Sequence, residues 1–289
     1  MICTLCPRRC GARRDEHHHG FCEVPDTALV CRAAPHYGEE PCISGSRGSG
    51  TVFFAGCNLR CVFCQNRQIS RGAVGRPYDA DGLRALFRSL RDRGFHNLNL
   101  VTPSHLSALL AEALRDLDLG IPVVWNSSGY ESVEQLRALE GLVDIYMPDF
   151  KYADAALAAR YSAAPDYPET ALEAIREMFR QTGPFEMDGG LLRRGVLIRH
   201  LVLPGAAENT LRVIDAIEDR LPAKKILFSL MGQYTPMPGL EAFPELRRRV
   251  TPEEYDRCRS YLDFSELEYG YVQELESATD EMIPEFDMI

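Results

Sequence analysis

"FFAGCNLRCVFCQN", residues 53–66, is the stretch that decides how this chain is read. Its cysteines, Cys57, Cys61 and Cys64, are spaced C-x3-C-x2-C directly after an apolar run and a glycine. Spacings of four and three residues also describe one face of an α-helix, and a free cysteine can pack as a small hydrophobe. Gly56 at the end of the apolar run, with polar Asn58 and Arg60 between the thiols, favours a loop leaving a strand, its thiols turned to a common point.

Disulfides are the next reading to weigh. The opening "MICTLCPRRC" has no apolar run behind a basic start, so no secretory signal is expected. No window approaches the roughly 20 apolar residues of a membrane span. A cytoplasmic setting is therefore expected, where thiols stay reduced and clustered cysteines bind metal or do chemistry. Nine of the ten cysteines fall within the first 64 residues, which marks the N-terminal quarter as a metal region. The 289 residues, 45% hydrophobic and 26% charged, suit one large globular domain, with or without a small appendage. The balance of 32 basic against 42 acidic residues, net −10, gives no electrostatic reason to expect nucleic acid, and neither nucleic acid nor membrane is expected as a partner. The short basic run "RRRV" at 247–250 reads as a solvated helix end.

After residue 50, short apolar runs alternate with amphipathic ones. Strands are expected at 51–55, 97–102, 121–126, 142–148, 195–203 and 224–231, and helices at about 79–93, 104–118, 131–140, 168–182, 207–220 and 252–263. Six strands alternating with helices imply an α/β fold with a parallel sheet and right-handed crossovers. This pattern leaves an open and a curved sheet equally possible.

Three thiolates rather than four is the informative number. A structural zinc or a plain electron-transfer cluster takes four protein ligands; three leave one iron of a [4Fe-4S] cluster free for a substrate. The C-x3-C-x2-C loop behind a first strand resembles the radical S-adenosylmethionine superfamily. "CVFCQNRQIS", "DIYMPDFKY" and "VLIRHLVLPG" are similar to stretches of the activating enzymes of glycyl radical enzymes. The "C-x-LCPR-x-CG" block at 3–11 and the "GEEPCISG" lead-in within 38–54 are similar to uncharacterised homologues of those activases. The resemblance implies a partial (β/α)6 barrel over 51–235, with a Cys-rich metal-binding extension and lead-in at 1–50 and a C-terminal helix and acidic tail at 236–289. It implies a [4Fe-4S] cluster on Cys57, Cys61 and Cys64 that binds S-adenosylmethionine and cleaves it reductively to a 5′-deoxyadenosyl radical, and an electron donor such as a flavodoxin or ferredoxin. The radical would abstract hydrogen from a glycine of a protein partner, or from another peptide or small molecule.

In such barrels the chemistry sits at the C-terminal strand ends, and the resemblance places further residues there. Phe63 and Asn66 flank Cys64. The strand at 97–102 ends in "VTPSH", where most of the superfamily has a Gly-Gly-Glu stretch for the cofactor's amino group; Thr102, Ser104 and His105 stand there instead, and Ser104 is equally readable as a helix N-cap. The strand at 121–126 ends in Asn126, Ser127 and Ser128, where relatives begin with an acid that helps hold a monovalent cation. Asp149 and Lys151 match the relatives' strand-four end, with Lys151 a counter-charge for the cofactor carboxylate. Arg199 and His200 are strand neighbours and point to opposite faces; the resemblance selects Arg199 as the inward one. At the last strand end Gln233 and Tyr234 stand near where activases have a histidine.

Cys3, Cys6, Cys10 and Cys22, spaced C-x2-C-x3-C-x11-C, supply four thiolates of their own, enough for zinc or an auxiliary iron–sulfur cluster, with zinc preferred. His17, His18 and His19 point in different directions and read as a solvated loop. Cys31, His36 and Cys42 read as single buried residues, and Cys258 as a packing residue in a late helix. The closing "QELESATDEMIPEFDMI", with six acidic residues, is either a solvated tail or, through Ile283, Phe286 and Met288, a segment folded back on the barrel. A non-catalytic iron–sulfur or zinc protein is the alternative class, disfavoured because Asp149, Lys151 and Arg199 recur at matching strand ends.

Overall fold

The computed structural model describes residues 2–275. Its strands are β1 Ala28–His36, β2 Ser49–Phe54, β3 Arg76–Tyr78, β4 Leu98–Val101, β5 Val123–Ser127, β6 Ile145–Pro148, β7 Glu186–Asp188, β8 Leu191–Leu201, β9 Leu227–Met231 and β10 Gly270–Val272. Its helices are α1 Pro41–Ser44, α2 Arg67–Ser70, α3 Ala80–Asp92, α4 Ser107–Leu114, α5 Val133–Arg137, α6 Ala155–Ser162, α7 Tyr167–Thr182, α8 Ala207–Arg220 and α9 Pro252–Asp263. The sheet order is β10-β9-β8-β6-β5-β4-β2-β1-β3, with β7 hairpinned onto β8. The six expected strands, β2, β4, β5, β6, β8 and β9, lie side by side in chain order and pair in parallel. Strands beyond the expected six add antiparallel pairings: β1 with β2, β3 with β1, and β7 with β8. Among the described residues no pairing joins the β3 edge to the β10 edge. The result is an α/β fold with a mostly parallel open sheet, consistent with a partial barrel.

Local chemistry explains the elements. In α3, Asp79 accepts a hydrogen bond from the Gly82 N–H at 2.8 Å, and Leu83, Phe87 and Leu90 form one buried stripe. A capping box between Thr251 and Glu254 starts α9. The helix expected at 104–118 is a 3-10 turn, Ser104–Leu106, followed by α4, which stops at Leu114. The unexpected α6 starts where Asp154 accepts from Ala156 and Leu157. "RRRV" begins at Arg247, the C-cap of a 3-10 helix over Pro244–Leu246, and leads into α9, where Arg248 pairs with Glu254 at 2.7 Å.

Strand alternation separates two faces. Trp125, Tyr146, Ile198 and Phe228 belong to the main core. Val124, Ile145, Met147, Leu197 and Leu227 face the other way and pack with Cys42 and Ile43 of α1. The lead-in therefore contributes β1, which lies between β2 and β3, and a helix on the sheet face turned away from the main core. Cys258 is fully buried and packs. No helix of the described residues is long and apolar enough to cross a membrane. The closing residues 276–289 lie outside the described part.

Candidate active site

A cavity of about 890 Å³ opens at the C-terminal ends of the parallel strands. Cys57, Cys61 and Cys64 line it together. They reach it because the chain turns sharply after β2. Gly56 has φ +77°, and a Cβ there would lie 2.6 Å from the Cys22 carbonyl oxygen, so only glycine fits. Each sulfur has a polar neighbour: the Leu59 N–H donates to Cys57 Sγ at 3.3 Å, Ser162 Oγ donates to Cys61 Sγ at 3.0 Å, and Cys64 Sγ lies 3.5 Å from Ser70 Oγ. Burial raises the Cys57 and Cys61 thiols, and the neighbouring sulfurs add to the rise at Cys57. Lys151 acts in the opposite sense on both. Metal binding at these thiols must therefore release protons.

The charged side chains line the same cavity. Lys151 Nζ donates to Asp149 Oδ2 at 2.5 Å, and Arg199 Nε to Asp149 Oδ1 at 3.1 Å. Burial alone would neutralise Asp149, but Lys151 and Arg199 overcome it and hold its carboxyl below the usual range. Burial likewise opposes charge on Lys151, and Asp149 reverses it, so the ammonium is favoured. Arg199 Nη2 donates to Asn126 Oδ1 at 2.7 Å, and Nη1 to Glu39 Oε2 at 2.9 Å. Glu39 escaped the sequence reading. It enters from the loop between β1 and α1, and its Oε1 also accepts from Asn99 at 2.9 Å and Asn126 at 3.0 Å. His36 lies 3.9 Å from the same oxygen and lines the cavity, so it is not a lone buried residue.

Of the other expected residues, Phe63, Asn66, Thr102, Ser127 and Ser128 line the cavity. Thr102 has φ +61°, a strained setting for a β-branched side chain. Ser104 and His105 do not reach the cavity. Ser104 Oγ caps no backbone group and donates to Glu131 Oε1 at 2.7 Å. The His105 ring sits 2.8 Å from the Ala55 carbonyl, behind the cysteine loop, and burial lowers its pKa to about 3. A residue count from the strand end does not reveal that the 3-10 turn rotates both side chains away. Arg199 faces the cavity, and His200 is buried behind it between the Phe150 carbonyl at 2.7 Å and Thr210 Oγ1 at 2.9 Å. Gln233 lines the cavity, whereas Tyr234 is buried and donates to the Leu246 carbonyl. Two buried cavity atoms, Ser128 Oγ and Gln233 Oε1, have no hydrogen-bond partner within the protein. Three soft sulfurs together with unpartnered polar atoms and an ammonium in one cavity fit an iron–sulfur cluster with a polar, charged cofactor. A second cleft of about 810 Å³, lined by residues such as Asp118, Pro122 and Asp144, lies at the opposite strand ends, away from the cysteines.

Cys3, Cys6, Cys10 and Cys22 line no part of this cavity. Backbone bonds fold their segment on itself: Cys3 N–H to the Ala12 carbonyl at 2.9 Å and Arg9 N–H to the Cys6 carbonyl at 3.0 Å. Burial pushes the Cys6 thiol up to about 12, with Cys3, Cys22 and Cys10 near enough to add to it. At Cys10, burial is outweighed by N–H donation from Phe21 and Ala12, and the thiol is lowered. Among the described residues, no three His, Cys, Asp or Glu side chains stand in a finished metal-holding arrangement, in either cysteine group. His17, His18 and His19 are exposed. Cys31 and Cys42 are buried, Cys31 in one apolar cluster with Cys22 and bonding the Val74 carbonyl at 3.4 Å, and Cys42 in a separate cluster. The N-terminal segment braces the cysteine loop through Arg8, whose Nε donates to the Asn58 carbonyl at 2.8 Å; Arg8 Nη2 also donates to the Ser162 carbonyl at the end of α6 at 3.0 Å, and Arg14 Nη1 to the His105 carbonyl at 2.6 Å.

An uncharacterised protein of Methanocaldococcus jannaschii is 32% identical over 281 residues, covering 93% of this chain and 76% of that protein. Streptococcus suis SuiB superposes with a TM-score of 0.52 at 14% identity, and SuiB bound to precursor peptide SuiA with 0.52 at 12%, each over 78% of this chain. The chain spans about half, 49%, of the length of those two structures, and at such identities the likeness concerns the fold. The model of the radical SAM superfamily matches residues 51–228. That match runs from β2 into β9, the arc of strands whose ends surround the cavity, and the chain belongs to the radical SAM superfamily.

Proposed function

We propose that this enzyme holds a [4Fe-4S] cluster on Cys57, Cys61 and Cys64, binds S-adenosylmethionine beside it, and abstracts hydrogen from a protein or peptide substrate. The single observation that carries this is the convergence of those three thiols with Asp149, Lys151 and Arg199 on one cavity. When bound, cluster and cofactor supply one-electron chemistry, fed by a donor such as a flavodoxin or ferredoxin; the chain supplies position and charge. Lys151 faces the cofactor carboxylate, kept protonated by Asp149. Ser128 and Gln233 offer their unpartnered oxygens to polar groups of the cofactor or substrate. Phe63 and Leu59 give apolar walls beside the cysteines and limit water there. Cys3, Cys6, Cys10 and Cys22 hold a separate zinc or auxiliary cluster that stiffens the loop from behind.

A glycine of a partner protein is the substrate that the activase-like motifs favour. A peptide substrate of another kind is the second reading, supported by the likeness in fold to SuiB bound to precursor peptide SuiA. The test is anaerobic: reduced, iron-loaded protein with S-adenosylmethionine is expected to release 5′-deoxyadenosine. No product at full iron content would overturn the reading. Supplying cell protein labelled with deuterium at the glycine α-carbon separates the substrates. Deuterium in the 5′-deoxyadenosine supports glycine, and its absence with turnover supports the second reading.

A further inference from the structure

The charged network in the cavity holds one feature that the strand-end residues alone do not explain. Asn126 uses both ends of its amide: Oδ1 accepts from Arg199 Nη2 at 2.7 Å, and Nδ2 donates to Glu39 Oε1 at 3.0 Å. Arg199 thus lies between two carboxylates, Asp149 and Glu39, at 3.1 and 2.9 Å. Glu39 is 160 positions away from Arg199 in the chain, and both side chains are largely buried, at 8% and 15% exposure. Its carboxylate accepts three N–H bonds, from Asn99, Asn126 and Arg199.

We propose that Glu39 is a positioning residue for the cofactor site: from the lead-in, it supplies the negative charge that the end of β5 lacks, and it fixes Arg199 as a built-in cation beside Asp149. The chain of contacts runs Glu39, Arg199, Asp149, Lys151. Without Glu39, the guanidinium keeps one carboxylate instead of two and is free to compete with Lys151 for Asp149. The neutral amide at position 126 is then a requirement. An acid there would set a second carboxylate oxygen about 3 Å from Glu39 Oε1 in a low-dielectric site, where like charges repel strongly. The inference rests on the reading of this cavity as the S-adenosylmethionine site.

The test is a charge swap. In Glu39→Gln one carbonyl oxygen cannot accept three N–H bonds, so the dissociation constant for S-adenosylmethionine, measured on iron-loaded protein, is expected to rise about tenfold or more. Asn126→Asp is expected to be at least as damaging. The double variant E39Q/N126D moves the charge to β5 and is expected to return affinity to within about threefold of the parent. Asn99 permits this, since its Oδ1 has no partner and can accept from the new amide once its own is flipped. Melting temperature is followed in parallel. A loss of stability with unchanged affinity would show a merely structural role and overturn the proposal, as would a double variant no better than N126D. A crystal structure of Glu39→Gln gives an arm that does not depend on cofactor binding. Arg199 still bridging Asp149 and Asn126 there would overturn the proposal, and a displaced Arg199 would support it. If the parent itself bound no S-adenosylmethionine, the proposed function would fall, and this crystallographic arm would still decide the inference.

Discussion

Two cysteine groups meet at one loop and differ in what surrounds them. Cys57, Cys61 and Cys64 line a cavity shared with Asp149, Lys151 and Arg199. Cys3, Cys6, Cys10 and Cys22 line none of it, and their segment is tied to the loop's backbone through Arg8, which donates to the Asn58 carbonyl. The first group has one thiol too few to close a coordination shell and charged groups next to it. The second has enough thiols to close a shell and faces backbone. An incomplete shell beside charge suits chemistry, and a complete shell against backbone suits bracing.

Removing a thiol from each group should break the comparison most sharply. Cys61→Ala is expected to abolish 5′-deoxyadenosine formation, whereas a Cys57/Cys61/Cys64 triple variant should retain metal on the N-terminal group. Parent-rate cleavage by Cys61→Ala, or a triple variant retaining neither zinc nor iron on elemental analysis, would refute the assignment of the corresponding group.

Lys151→Ala sharpens the cavity side. A charge-assisted hydrogen bond contributes about 1.5–3 kcal/mol, so the dissociation constant for S-adenosylmethionine should rise about tenfold to a hundredfold with the cluster still assembled. Because Arg199 already lies between Asp149 and Glu39, added potassium or sodium should alter binding little at constant ionic strength. Cofactor titration checks both points; unchanged affinity at full cluster occupancy would remove Lys151 from the site.

The seam between the two groups is Gly56. A Cβ there meets the Cys22 carbonyl at 2.6 Å in a left-handed backbone. Gly56→Ala should cost about 2 kcal/mol of stability and make both groups lose metal together, read from melting temperature and metal content. Independent loss would show that the two groups are not braced against each other.

A last effect is on pH. Burial lowers His200 to about 4 against an unfolded value near 6.5. A depressed folded value means the unfolded chain takes up the proton first. The stabilisation is complete above about pH 6.5 and shrinks by about 1.4 kcal/mol per unit as pH falls toward 4. His200→Gln should flatten the slope of melting temperature between about pH 7 and pH 5; an identical slope would show that His200 is not the group responsible.

What the amino-acid sequence determined by itself was local: the six parallel strands, most of the helices, and a three-thiol loop at a strand end. Those features depend on short-range periodicity, turn residues and spacing. The family resemblance of its motifs also pointed to Asp149, Lys151 and Arg199, whereas strand alternation by itself says only that Arg199 and His200 point to opposite faces. Tertiary structure alone decided three matters. It turned Ser104 and His105 away from the cavity, because a 3-10 turn directs side chains differently from the α-helix expected there. It put α1, four residues long and too short for any periodic signal, on the sheet face turned away from the main core. It brought Glu39 to Arg199 across 160 residues. Closing so long a loop costs little more than closing a short one, so chain separation says nothing about which distant carboxylate arrives. Glu39 and Glu40 are neighbours of one type, and only the folded lead-in separates the one that meets Arg199 from the one whose Oε2 stays buried without a partner.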